Sequence, residues 1–91
     1  MNISEHLLAC LAEEAGEIVQ ACNKALRFGL DDHRPGSSQT NADDIALEVA
    51  HLNAVAAMLD LELKGEDAVI AQKIAKVQEF MEYALQRGTL Q

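Results

Sequence analysis

Tryptophan is absent, and two phenylalanines and one tyrosine are the whole aromatic complement. A core must therefore be aliphatic, drawn from Leu, Ile, Val, Met and many Ala. Base-stacking platforms are restricted to Phe28, Phe80 and Tyr83. Basic residues are also scarce: seven Lys and Arg stand against fifteen Asp and Glu, a net charge of −8. That balance argues against a nucleic-acid backbone or an anionic membrane as partner, since both need a basic face. It suits a protein that holds divalent cations, with plain solubility as the alternative. No apolar run approaches the length of a membrane span, and Met1-Asn2-Ile3-Ser4-Glu5-His6 has no basic segment leading into an apolar one. Neither a transmembrane helix nor a signal peptide is expected.

Cysteine is limited to Cys10 and Cys22. Both fall in the first predicted helix, roughly 18 Å apart along its axis and too far for a bridge. Free, buried thiols in a reducing cytoplasm are the expectation. Apolar residues make up 49% of the 91 positions, so a packed domain is expected over disorder. The length suits a single domain, residues 1–91, but one that buries only about 60–65% of its unfolded surface.

The hydrophobic pattern is helical throughout. Ser4 is a candidate N-cap, followed at helical spacing by Leu7, Leu11, Ala15, Ile18, Cys22 and Ala25, with Gly29 as a left-handed stop. Leu30 to Thr40 is the clear loop. It carries the only proline, Pro35, a following glycine and a polar cluster. It is long for a helix–helix connection, which suits either a lid or a mobile segment. Asn41 reads as the next N-cap, with Asp43 and Asp44 in the first turn and Ile45, Leu52, Val55 and Leu59 on the apolar face. Gly65 breaks that pattern. A third helix, Glu66 to Arg87, places Ile70, Ile74, Val77, Met81 and Ala84 on one stripe before Gly88. The predicted fold is all-α, a bundle of three long helices. Three such faces are not covered by three helices, so dimerisation into a larger bundle is expected.

The acids fall at informative positions. Glu14 and Glu17 share a face of the first helix, at the edge of the Leu7–Leu11–Ile18 stripe, with Glu13 beside them. Glu48 interrupts the apolar stripe of the second helix, and His51 follows three residues later on an adjoining face. Carboxylates beside a core stripe are costly, and like charges one turn apart repel. A divalent cation removes both problems. Packed antiparallel, the helices would set Glu14 and Glu17 against Glu48 and His51, the way bundles build internal metal sites. Solvated helix faces are the simpler alternative. Lys24 and Arg27 are the only cations of the first helix. They are placed either to neutralise phosphate oxygens or merely to complement the helix C-terminus.

Glu13-Glu14-x-x-Glu17 followed by Glu48-x-x-His51 resembles the EExxE…ExxD signature of the MazG-like, all-α nucleoside triphosphate pyrophosphatases. The stretch Lys24 to Asp32, the Pro35-Gly36 turn, Asn41 and Lys73-Ile74-Ala75-Lys76-Val77 are similar to small phage-type members. The resemblance spans nearly the whole chain. It implies Mg²⁺ held by Glu14, Glu17 and Glu48, with Glu13 as a base or outer acid. It also implies hydrolysis of an NTP or dNTP to monophosphate and pyrophosphate, with Lys24 and Arg27 steadying the polyphosphate; the uncovered helix faces make a homodimer or homotetramer the expected assembly. The sequence departs from the signature at its last position, where His51 replaces aspartate. Neutral imidazole is a poor Mg²⁺ ligand but suits Mn²⁺, Zn²⁺ or Ni²⁺. Three outcomes are open: a shift toward Mn²⁺, partial substitution by Asp44, or a weakened module that binds nucleotide or a protein partner without hydrolysis.

Overall fold

A computed structural model describes all residues, 1–91. The chain is all-helical: α1 spans Ile3–Phe28, α2 Asn41–Met58 and α3 Glu66–Arg87, with no strand. It falls into two compact units, Met1–Leu61 and Glu62–Gln91. No helix is long and apolar enough to cross a membrane.

In the first unit, the half-buried side of α1 follows Leu7, Leu11, Glu14, Ile18, Ala21 and Ala25, and that of α2 follows Ile45, Glu48, Leu52 and Val55 and runs on to its C-cap Leu59. These are i, i+3/i+4 series, so each forms one stripe along its helix. The two stripes meet in reverse order: Glu14 is near His51, Glu17 lies against Glu48, and Gly29 bonds Asn41. The two helices therefore form an antiparallel hairpin.

The caps differ from the expected ones. Asn2, not Ser4, caps α1, its Oδ1 accepting the Glu5 N–H at 2.8 Å. Thr40, not Asn41, caps α2 through a reciprocal box. The Asp43 N–H donates to Thr40 Oγ1 at 3.1 Å, and the Thr40 N–H donates to Asp43 Oδ2 at 2.9 Å. The bond from the Thr40 N–H, ahead of that from its side chain, holds the Asp43 carboxyl below its ordinary pKa of 3.8. The stability this contributes is present above that value and fades as acidification protonates the cap.

Relieved of capping, Asn41 becomes the one buried residue of the chain, 2% exposed. Its Nδ2 donates to the Gly29 carbonyl at 2.8 Å, tying the end of α1 to the start of α2. Gly29 has φ 97° and ψ 151°, not the left-handed helical cap expected. That backbone region is open essentially to glycine alone. Asn41→Ala removes a buried donor and strands its acceptor, and should cost about 1–3 kcal/mol in urea unfolding. An unchanged midpoint would show that the clasp contributes nothing.

The loop between α1 and α2 is tied down along its length. The Asn41 N–H donates to the Asp32 carbonyl at 2.9 Å and the Ala42 N–H to the Leu30 carbonyl at 3.0 Å. His33 and Thr40 form an isolated antiparallel bridge. With its ends this close and so bonded, the segment is a compact Ω-type loop. α2 stops at Met58, earlier than Gly65, because Asp60 already takes a positive φ of 55°.

The second unit is α3 with its flanks. Gly88 ends it in the left-handed conformation, as expected, and donates to the Ala84 carbonyl. Lys76 pairs with Glu79 at 3.8 Å and lies 5.3 Å from the Phe80 ring centre. Ile70, Ile74, Val77 and Met81, one stripe of this helix, are all exposed.

Candidate metal centre and its cleft

Helical spacing puts Glu14 and Glu17 on the seam side of α1 and Glu48 on the seam side of α2. The hairpin then brings them together. Glu14, Glu48 and His51 each offer one ligand atom, and these atoms lie within 4.8 Å of one another. His51 Nδ1 is 3.5 Å from Glu48 Oε2 and 3.8 Å from Glu14 Oε2. Those separations are too long for good hydrogen bonds. Glu14 Oε2 and Glu48 Oε2 are buried and have no hydrogen-bond partner. The side chains of Glu14 and Glu48 are 23% and 19% exposed, while His51 is 49% exposed at the edge of the group.

Glu17 sits against Glu48 and holds the Glu48 pKa above the ordinary 4.5, chiefly through a side-chain hydrogen bond. Partial burial and the like charge of Glu17 add to the rise, and His51 opposes it. Two orphaned carboxylate oxygens, on Glu14 and Glu48, and the His51 imidazole form a donor set that fits a divalent cation, with Glu17 next to Glu48 but outside that three-residue cluster. Each oxygen would gain the partner it lacks, and the repulsion between carboxylates would be offset. Glu13 is exposed and stays outside this group.

A cleft of about 390 Å³ opens beside the acids. Glu17 and Glu48 form part of its wall, with Lys24, Arg34, Gln39 and Asp44. Of the two cations singled out in the first helix, the structure brings only Lys24 here. Arg27 is exposed in the last turn of α1, its guanidinium 4.9 Å from the Phe28 ring centre. A guanidinium over an aromatic face is a satisfied arrangement at a surface. Arg34 was not foreseen. The available signal was its place as the loop's only cation, directly before Pro35-Gly36. Asp44 lines the cleft and accepts a hydrogen bond from Gln39 Nε2.

Both cysteines are free, and neither is fully buried as expected. Cys10 is half-buried and Cys22 exposed. Cys22 lines a second, apolar cleft with Ala25, Leu26, Leu30 and Ile45. Compared with family models, curated proteins and solved structures, the chain matches none.

Proposed function

We propose that this protein is a metal-dependent nucleoside triphosphate pyrophosphatase of the MazG-like kind, releasing monophosphate and pyrophosphate from an NTP or dNTP. The observation that carries the reading is the pair of buried, partnerless oxygens on Glu14 and Glu48, facing each other across two helices with His51 in reach. Glu14, Glu17, Glu48 and His51 would hold Mg²⁺ or Mn²⁺. When bound, the ion neutralises phosphate charge and lowers the pKa of a water nucleophile. Lys24, on the adjoining cleft wall, would hold phosphate oxygens. A carboxylate oxygen of Glu17 or Glu48 left free by the ion would accept the proton that the attacking water loses. Water's oxygen joins the α-phosphorus, the bond to the β-bridging oxygen breaks, and pyrophosphate leaves.

The exposed stripe Ile70, Ile74, Val77 and Met81, together with the absence of any buried apolar side chain, supports a homodimer or homotetramer. The acidic balance supports a small-molecule substrate over nucleic acid. Two unpaired cysteines suit a reducing cytoplasm.

The test is pyrophosphate release from a panel of NTPs and dNTPs with Mg²⁺, with Mn²⁺ and with chelator. Release with one of the ions and none in chelator is expected. Folded protein that turns over no nucleotide with either ion would remove the enzyme reading. One observation favours a second reading, a module that binds nucleotide without hydrolysing it. The position that carries aspartate in the resembled signature is a histidine here, and it stands half-exposed at the rim of the acid group.

A further inference from the structure

Lys24 and Arg34 line one small cleft, in a chain with only seven basic residues against fifteen acidic ones. Pairing with the cleft's own carboxylates, Glu17, Asp44 and Glu48, would explain them, but they are not so paired. The one Lys or Arg ion pair of this chain is Lys76 with Glu79. Glu48 is engaged with Glu17 and His51, and Asp44 with Gln39. Two cations thus stand in an acidic surrounding with no anion assigned to them.

The backbone holds Arg34 in place. Arg34-Pro35-Gly36-Ser37 forms a tight turn, its ends joined by the Ser37 N–H donating to the Arg34 carbonyl at 3.0 Å. Gly36 has φ 83°, and a proline followed by a positive-φ glycine is the type II pattern. The His33 ring Nδ1 lies 3.1 Å from the same carbonyl. His33 in turn bridges Thr40, and Asp32 accepts from the Asn41 N–H. The arginine is therefore carried by a loop bonded on both sides to the start of α2. Its side chain can reach a ligand without the loop first having to order.

We infer that Arg34 is an anion-binding residue of this cleft, which with Lys24 grips the phosphate chain of an oligophosphate. The naming of the anion rests on the nucleotide reading above; the unpaired cations do not. Guanidinium presents a planar fork to phosphate oxygens, and ammonium a second point charge, so together they favour two or more linked phosphates over one. The cleft falls within the range of small-molecule sites, about 300–1,000 Å³.

The experiment is calorimetric titration of the whole chain with tripolyphosphate, in Mn²⁺, for the natural protein, Arg34→Gln and Arg34→Lys. Mn²⁺ alone and thermal melting are controls. Arg34→Gln should weaken tripolyphosphate binding by at least about tenfold, the loss of one charge-assisted contact. Arg34→Lys should recover part of it. Mn²⁺ affinity and melting should not change, since the Arg34 side chain is exposed and the turn uses only its backbone. Equal tripolyphosphate binding by Arg34→Gln would overturn the inference. So would no binding by the natural protein, or a loss that tracks melting or Mn²⁺ affinity. Tight binding in a protein that releases no pyrophosphate would retain Arg34's role and remove the enzyme reading. Turnover unaffected in kcat and KM by Arg34→Gln would do the reverse.

Discussion

Glu48→Gln is expected to lower metal-dependent pyrophosphate release at least about 100-fold, because even groups that merely support metal ligands cost 10–100-fold when lost. The same substitution is expected to raise the melting temperature in chelator. These opposite signs follow from one arrangement. Glu48 touches Glu17 and has a buried oxygen without a partner. Its native pKa is raised above 4.5, so its protonated form is the one the fold prefers. That contribution is full below the ordinary glutamate value and is lost as pH rises through the raised native value. At neutral pH the unliganded hairpin therefore carries crowded, ionised acids, and glutamine relieves one of them. Melting in chelator should show the natural protein gaining on Glu48→Gln as pH falls toward 4.5. With Mn²⁺ or Mg²⁺ the natural protein should gain stability at neutral pH, and Glu48→Gln much less. Metal affinity should rise with pH, since a cation binds the ionised carboxylate and competes with its proton. A variant that melts below the natural protein in chelator at neutral pH would refute the crowding argument.

The placement of these acids was legible because a 3.6-residue period fixes which side of a helix a position occupies. Glu14, Glu17 and Glu48 fall in or beside the apolar series, and the structure puts them on the seam. What the period cannot supply is the geometry of chain that has no period. Asn2 against Ser4 and Thr40 against Asn41 are choices between adjacent good caps, and only the hydrogen bonds decide them. The misreading at Asn41 mattered more, because it hid the residue whose side chain holds the Gly29 carbonyl. Arg34 was missed for a related reason. The Pro35-Gly36 turn is legible, but nothing in residues 30–40 reports that a bridge from His33 to Thr40 will carry that side chain to the cleft lined by Lys24. For Arg27 the structure shows only a position: it lies beside Phe28 in the last turn of α1 and does not line the cleft that Lys24 lines. The amphipathic stripe of α3 was legible as a face, but periodicity never says what covers it. The proposed substrate class comes from the resemblance of the acid spacing, and the geometry of the site adds a donor set that fits a cation.

His51→Asp is the exchange that separates a working site from a weakened one. His51 Nδ1 stands 3.5 Å from Glu48 and 3.8 Å from Glu14, so a carboxylate on a shorter stem would enter the same group with a hard oxygen in place of nitrogen. Mg²⁺ prefers oxygen ligands, and imidazole suits later metals. Turnover with Mg²⁺ should therefore rise, by about tenfold or more on the scale of metal-site substitutions. The advantage of Mn²⁺ over Mg²⁺ should shrink. In chelator the variant should melt at a lower temperature than the natural protein, since a further negative charge joins Glu14 and Glu48. Mg²⁺ should then restore more stability to the variant than to the natural protein. The two readouts, the Mg²⁺-to-Mn²⁺ ratio of kcat/KM and the ion-induced shift in melting, divide the outcomes. A rise with Mg²⁺ alone says that histidine has turned the site toward another ion. A rise from undetectable turnover says that the natural chain is a binding module. A loss with both ions says that the imidazole itself takes part, and that aspartate cannot replace it in this hairpin. No change in either readout would put His51 outside the centre, leaving Glu14 and Glu48 to hold a cation with Glu17 alone.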